Sequence, residues 1–374
     1  MIANGVSRAV PQHSQFTTNL LSTHLGHDFR KAFKDLKFFK EEFPTVPMIC
    51  CTATATSRVR QDIIDTLKLN PRTLKSFTMT TARPNLHYEV RYTSYSEDRY
   101  SDDLLPWLRA IHARRRDNPT RAAELSHAGE RPTNVSGIIY TLTRAETETL
   151  AARLTADGIG AKPYHAGLSL PARAAHLAGW VADSPGFDVM VATTAFGMGI
   201  DKGNVRFVVH WSLPKSFEGF YQEAGRAGRD GKASVCRLYY AREDRDRGVA
   251  MFTREMQKGL HARGGGAGGG GAAAAAAGGE KMRQSVEMRG KSLQALIAYC
   301  ENVGACRHAL IAKYFGEGEG DASLAPPSVK CEWACDWHKD PEMLKRRKEL
   351  GLADEEWCAT QRETGAYGEY DEYD

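Results

Sequence analysis

The chain has 374 residues, 42% of them hydrophobic, with 50 Lys and Arg against 46 Asp and Glu and a formal net charge of +4. That length holds two or three domains, and the slight basic excess permits nucleic-acid binding without demanding it. No apolar run is long enough to span a bilayer and Met1 to Phe16 lacks a signal-peptide core, which predicts a soluble intracellular protein with no membrane partner; its eight cysteines then read as thiols or metal ligands rather than disulfides.

Residues 1–25 are polar and without a clear period. Phe33, Leu36 and Phe39 recur at helical spacing up to Pro44, and Val46 to Cys51 reads as a buried strand. Thr52-Ala53-Thr54-Ala55-Thr56 suits the mouth of a cleft, and Ser57 is placed to cap a helix carrying Val59, Ile63, Ile64 and Leu67. Leu86, Tyr88 and Val90 alternate as in a strand, after a Pro84 that disfavours helix. Trp107 to Ile111 reads as helix. His112 to Asn134 reads as a polar surface insertion whose Arg114-Arg115-Arg116 is either a solvated loop or a basic patch. From Val135 to Ala241, strand candidates Ile138–Tyr140, Ala161–Tyr164, Val189–Ala192, Phe207–Trp211 and Cys236–Tyr240 alternate with helices Glu146–Asp157 and Ala172–Asp183. This α/β alternation predicts a parallel sheet covered on both faces, with sites at the carboxyl ends of its strands. Arg263 to Gly279 is almost wholly Gly and Ala and reads as a linker, with a brief helix at Ala272 to Ala277. Lys281 to Tyr299 and Ala305 to Phe315 read as helices, Met343 to Leu350 as a basic helix, and Glu369 to Asp374 as a disordered acidic end.

Several stretches carry chemistry. Tyr221-Gln222-Glu223-Ala224-Gly225-Arg226-Ala227-Gly228-Arg229-Asp230-Gly231 places two arginines one helical turn apart beside small residues. Such a pair is either a solvated basic helix start or a polyphosphate clamp, since guanidinium groups stay charged and donate bidentately. Thr141 to Arg144, His165, Thr193-Thr194 and Asp201 fall just after strands, and hydroxyl, amide and Arg groups there can hold DNA phosphates without reading sequence. His165 alone reads equally as a structural histidine. Cys331-x-x-x-Cys335-x-x-His338 puts three zinc donors on one short loop, and a cysteine from a helix completes a tetrahedral set; a chance cluster of thiols is the alternative.

The wording Ala195-Phe196-Gly197-Met198-Gly199-Ile200-Asp201-Lys202, Val205 to Trp211 and Tyr221 to Gly231 resembles the RecQ family of superfamily 2 DNA helicases, and the resemblance runs from about Gly26-His27-Asp28-Phe29-Arg30 to Pro341. It implies a RecA-like second motor lobe followed by a small helical zinc-binding domain. On that reading residues 1–25 are divergent, 26–82 are a remnant of the first lobe and 83–252 the second lobe. Residues 253–280 are then the linker, 281–342 the zinc-binding domain and 343–374 a basic helix and tail. Gly199, Asp201, Gln222, Arg226 and Arg229 are implied on the ATP and Mg2+ side, with Gln222, Arg226 and Arg229 catalytic, and Arg144, His165, Thr193 and Thr194 on a single-stranded DNA track. Cys306-Arg307-His308 matches the stretch holding the family's first zinc cysteine. This implies Cys306, Cys331, Cys335 and His338 as ligands, with His338 in place of a cysteine and Cys300 a rival. ATP-dependent 3′-to-5′ unwinding of single-stranded and branched DNA, repair and recombination, and a nuclear location are further implications.

The sequence departs from the family's first lobe. No Gly-x-x-x-x-Gly-Lys-Ser/Thr loop and no Asp-Glu-Ala-His box occurs. Leu20 to Leu25 stands where that box and an aromatic-rich loop precede Gly26. The break suggests a truncated or alternatively spliced chain, or a faulty gene assembly, and predicts that this chain alone does not turn over ATP. The rival reading is a non-catalytic DNA-binding or regulatory fragment; an RNA helicase fits the cysteine module less well.

Overall fold

The computed structural model describes residues 37–43, 45–52, 56–93, 98–197, 200–261, 272–317, 331 and 335–352. These fall into two units, residues 1–79 and 80–374. Gly26 to Arg30, Phe33, Leu36, residues 53–55 and Gly199, all singled out by sequence, lie outside the described residues.

In the first unit, α1 is Lys37–Glu42 and α2 is Ser57–Thr66. The cap of α2 is Thr56, whose hydroxyl accepts from Val59 N at 3.4 Å, one residue before the expected Ser57. Ile63 and Leu67 are buried. Val46 to Cys51 does not form the expected strand, and Ile49 is 70% exposed. A short apolar run becomes a strand only where a neighbouring edge takes up its backbone groups, and among the described residues of this unit only Cys51 makes an isolated bridge.

The second unit is built on a parallel sheet of six strands. Strand β1 is Leu86–Tyr92; the π turn Tyr100–Leu104 then runs into α3, Leu105–Arg116, and α4 is Pro119–His127. The polar stretch expected to be an insertion is therefore largely helical. Asn118 caps α4 through Arg121 N at 3.0 Å, and Leu125 anchors it at 1% exposure. Next come β2 (Gly137–Tyr140), α5 (Arg144–Ala156), β3 (Ala161–Tyr164), α6 (Leu170–Val181), β4 (Val189–Ala192) and β5 (Phe207–His210). Then follow α7 (Phe217–Ala224), β6 (Ser234–Tyr240), α8 (Arg242–His261), α9 (Ala272–Glu301), α10 (Arg307–Tyr314), α11 (Asp336–Lys339) and α12 (Pro341–Gly351). Helix α8 continues through residues 253–261, where a linker was expected, and α9 begins at the alanine run and continues unbroken to Glu301.

The sheet order is β1-β6-β5-β2-β4-β3. All four residues of β2, β4 and β5 are buried, and successive residues go to opposite faces. Ile138, Met190 and Val208 enter one core with Trp180 of α6, Phe217 and Phe220 of α7, Leu296 of α9 and Ile311 of α10. Ile139, Val191 and Val209 enter the other with Leu104, Leu108 and Leu154. The cysteine-bearing helices thus share a core with the sheet rather than forming a core of their own. β3 takes the far edge, where Pro163 removes a donor that no neighbouring strand needs. Among the described residues no helix is long and apolar enough to cross a membrane.

Candidate functional site

The register of the sheet sets up the first group. Tyr140 pairs with Ala192, and Ala192 with Tyr164, so the residues that follow them, Thr141, Thr193 and His165, stand in one row across three strand ends. Adjacent strands lie about 4.8 Å apart, so the row spans roughly 10 Å. Thr141 is buried and bonds to Thr147 Oγ1 at 2.7 Å, tying the strand end to α5. Thr143 caps α5 in a reciprocal box with Glu146, which sets Arg144 on the exposed first turn. Thr193 is half-buried and Thr194 exposed. The His165 ring is buried, with Nε2 3.0 Å from Glu148 Oε1 and Nδ1 without a partner among the described residues. A Cβ on Gly167 would stand 3.1 Å from His165 Nδ1 and 3.3 Å from Arg144 Nη1. The missing side chain lets these two groups share one hollow, so both readings of His165 survive in one residue: Nε2 is satisfied internally and Nδ1 is not.

The arginine loop forms the second group. Helix α7 starts at its Ser216 cap and carries half-buried Gln222. After Ala224 the chain turns through Gly228, whose φ of +55° favours glycine. A Cβ there would lie 2.5 Å from Asn85 Nδ2 and 2.8 Å from Lys232 O. Arg226 Nη2 reaches within 3.1 Å of where a Gly197 Cβ would be, and its buried Nε has no hydrogen-bond partner among the described residues. Arg229 Nη1 donates to Ile200 O at 2.7 Å. Its pKa is lowered from the usual value, by burial first and then by the positive charge of Arg226, partly offset by Asp201. Asp201 itself is exposed. Two guanidinium groups that repel each other favour an anion between or beside them.

The loop is held from behind. Arg83 Nη1 donates to Gly225 O at 3.4 Å, and Nη2 to Ala227 O and Gly228 O, both at 3.1 Å. Asn85 Nδ2 adds bonds to Gly228 O and Lys232 O. Sequence reading passed over both side chains, although the fixed φ of Pro84 between them is a visible sign of a shaped segment.

The cysteines form the third group. One donor atom each from Cys306, His308, Cys331 and Cys335 lies within 4.8 Å of the others. Cys306 Sγ is 3.3 Å from Cys331 Sγ and 3.9 Å from Cys335 Sγ, and Cys331 Sγ is 2.9 Å from His308 Nδ1. The thiol of Cys306 sits below its usual pKa, through its hydrogen bond with Cys335 first and the Ala309 amide next, against the effect of burial. Zinc bonds of about 2.3 Å to sulfur imply tetrahedral edges of roughly 3.8 Å, so this donor set fits a zinc ion once the closer pairs spread. The set differs from the sequence expectation. His338 Nδ1 is 3.3 Å from Cys335 Sγ, but the histidine grouped with all three thiols is His308. Its place follows from α10: Cys306 caps that helix, and the residue two further on turns back toward the loop. The Cys-x-His spacing was the available sign. His308 Nε2 lies 3.1 Å from Arg83 O, which suits an N–H donor there and leaves Nδ1 as the free donor atom. The fully buried Cys300 is outside the group; burial pushes its thiol far up, and its carbonyl accepts from Tyr92 OH at 2.6 Å.

A buried ion pair locks this group together. Arg307 Nε and Nη2 donate to the Asp336 carboxylate at 2.8–3.1 Å and Nη1 to Tyr299 O at 2.5 Å. Asp336 also accepts from Val90 N of β1 at 3.0 Å and Trp337 N at 2.7 Å.

Two family profiles match the chain: "Helicase conserved C-terminal domain" over residues 121–231 and "RecQ zinc-binding" over residues 270–339. The chain is 36% identical over 335 residues to the ATP-dependent DNA helicase Q5 of Mus musculus, covering 90% of this chain and 30% of that protein. It is 35% identical to the RecQ-like DNA helicase BLM of Xenopus laevis, covering 83% and 19%, and 37% identical to the ATP-dependent helicase SGS1 of Saccharomyces cerevisiae, covering 78% and 17%. It therefore spans less than a third of the length of each.

Proposed function

Because the chain belongs to the RecQ family of DNA helicases, we propose that it supplies one half of an ATP-driven motor that moves 3′-to-5′ along single-stranded DNA. Arg226 and Arg229 are the groups offered to the nucleotide phosphates, with Gln222, Gly199 and Asp201 on the same side and Mg2+ accompanying ATP. Arg144, His165, Thr193 and Thr194 hold the DNA backbone, contacting phosphate rather than base. Zinc, held by Cys306, His308, Cys331 and Cys335 with no open position, acts as a structural tie. Branched DNA substrates, repair and recombination, and a nuclear location belong to the same proposal. The observation that carries the motor reading is the pair of arginines on the braced loop between α7 and β6, one with a buried Nε that has no partner among the described residues.

The sequence contains no Gly-x-x-x-x-Gly-Lys-Ser/Thr loop, and this favours the corollary that the chain alone binds DNA without turnover. The decisive experiment is an anisotropy titration of single-stranded oligonucleotide against salt. We expect weak, sequence-indifferent binding whose log–log slope is roughly −0.7 per phosphate contact, and Arg144→Ala to reduce the slope by about that amount. Binding that ignores salt, or none at low salt, removes the backbone track. DNA-stimulated ATP hydrolysis that Arg229→Ala abolishes removes the corollary and keeps the motor.

A further inference from the structure

Two residues in series, His308 and Arg83, join the metal group to the arginine loop. His308 offers Nδ1 to the thiols, 2.9 Å from Cys331 Sγ, and Nε2 to Arg83 O at 3.1 Å. The side chain of Arg83 then bonds the carbonyls of Gly225, Ala227 and Gly228, which bracket Arg226 and precede Arg229. We propose that Arg83 is a positioning residue that couples the metal centre to the arginine loop, so that metal occupancy sets how firmly Arg226 and Arg229 are held.

The geometry makes this coupling specific. A guanidinium spread over several carbonyls fixes a loop of otherwise weak local structure: Arg226 N and Ala227 N each reach back only three residues, to Glu223 O and Ala224 O. The segment before Arg83 is anchored to the same two partners. Tyr221 OH of α7 donates to Thr81 O at 2.9 Å, and the carboxylate of Glu317, just after α10, accepts from Thr80 Oγ1 at 3.0 Å and from Thr81 N. His308 is held edge-on to Tyr88 of β1, with ring centroids 4.9 Å apart, so its two nitrogens point in fixed directions. A metal on Nδ1 would strengthen the Nε2–H donor and add to the restraint from Tyr88; without it the bond to the Arg83 carbonyl would be weaker and open more often. Only the functional consequence rests on the proposed motor role of the arginines. The mechanical link does not.

Hydrogen–deuterium exchange of the whole chain reads the link directly, with peptides covering residues 224–231 as the reporter and α5, on the opposite face of the sheet, as the control. Stripping zinc from the wild type should speed exchange in the reporter about tenfold and leave α5 unchanged, as expected for losing charge-assisted bonds locally. In Arg83→Met the reporter should already be fast and zinc removal should add nothing; Arg83→Lys should fall between. His308→Cys retains a thiolate donor but has no second nitrogen for Arg83, so it should bind zinc while the loop exchanges as in the stripped protein. The proposal fails if zinc removal leaves the wild-type reporter protected, or if it acts equally in Arg83→Met. It also fails if α5 loosens in step, or if His308→Cys keeps the loop slow. Loss of DNA or nucleotide binding would not alter these outcomes, so this idea and the motor reading fail separately.

Discussion

Replacing Arg307 with methionine should unfasten the cysteine module from the sheet. Arg307 is fully buried, its carboxylate partner Asp336 is 7% exposed, and the pair makes three close N···O contacts. Burial pushes the pKa of Arg307 down, but the Asp336 carboxylate outweighs it and the net shift is upward, so the guanidinium keeps its charge in the interior. Arg307→Met fills similar volume yet leaves Asp336 charged among apolar groups and deprives Tyr299 O of its donor. Breaking a buried pair in this way costs about 3–5 kcal/mol. Urea unfolding of the zinc-saturated protein should therefore show a midpoint lower by more than about 1 M, given slopes of about 1–3 kcal/mol per M. Arg307→Met with Asp336→Leu removes the stranded charge and should cost less than the two single changes added together. It cannot restore the wild type, because Val90 N loses its acceptor. A single Arg307→Met within about 1 kcal/mol of wild type at an unchanged slope would refute the ion pair as the fastening between β1 and α10.

Other expectations concern ligands, acid and the glycine turn. Metal analysis should find about one zinc per chain, lost in Cys306→Ser and His308→Ala and kept in His338→Ala and Cys300→Ser; loss with His338→Ala and retention with His308→Ala would restore the set expected from sequence. Glu89 and Asp103 share Arg237, and Asp103 also accepts from Arg91. Burial pushes both carboxyls up, but His87 lying 3.8 Å from Glu89, the hydrogen bond from Arg91 to Asp103 and the arginine charges bring both below their usual values. Since the folded values are depressed, their stabilisation is complete above the unfolded range near pH 4 and is lost as pH falls below it. Glu89→Gln should flatten the acid limb of a stability–pH curve, and an unmoved limb would contradict the assignment. Gly228→Ala should destabilise by roughly 1–3 kcal/mol or more, from its left-handed φ and the Asn85 contact. Gly231→Ala, with φ +77° but open space around its Cβ position, should cost only about 1 kcal/mol. Equal costs in urea melts would show that crowding at Gly228 is unimportant.

The parallel sheet was readable because Ile138 to Tyr140, Val189 to Ala192 and Phe207 to His210 are continuous apolar runs, the pattern of strands buried on both sides. The strand-end groups followed from those runs. Val46 to Cys51 has similar composition and is not a strand, since composition does not supply a neighbouring edge. Residues 112–134 hid the end of α3 and the whole of α4 because their apolar anchors are sparse, Leu125 being the one fully buried side chain of α4. Three of the four grouped donors lay in plain cysteine spacing, whereas His308 depended on which way α10 faces. Arg83 was invisible as a brace, because its partners are main-chain carbonyls some 142–145 positions away.

The contact between Asp336 and Val90 N has a consequence for how this protein fails. β1 ends the sheet, and an uncovered end strand offers a row of unpaired N–H and C=O groups to any other chain. Here the carboxylate beside Cys335 occupies one of those donors, and Gly351 of α12 closes on Tyr92, where even a Cβ would come within 2.8 Å of it. The cysteine module is thus also a cap on a sheet edge. Metal loss would expose an adhesive surface as well as loosen helices, so its earliest sign should be association between chains, growing with protein concentration, before any loss of helix signal.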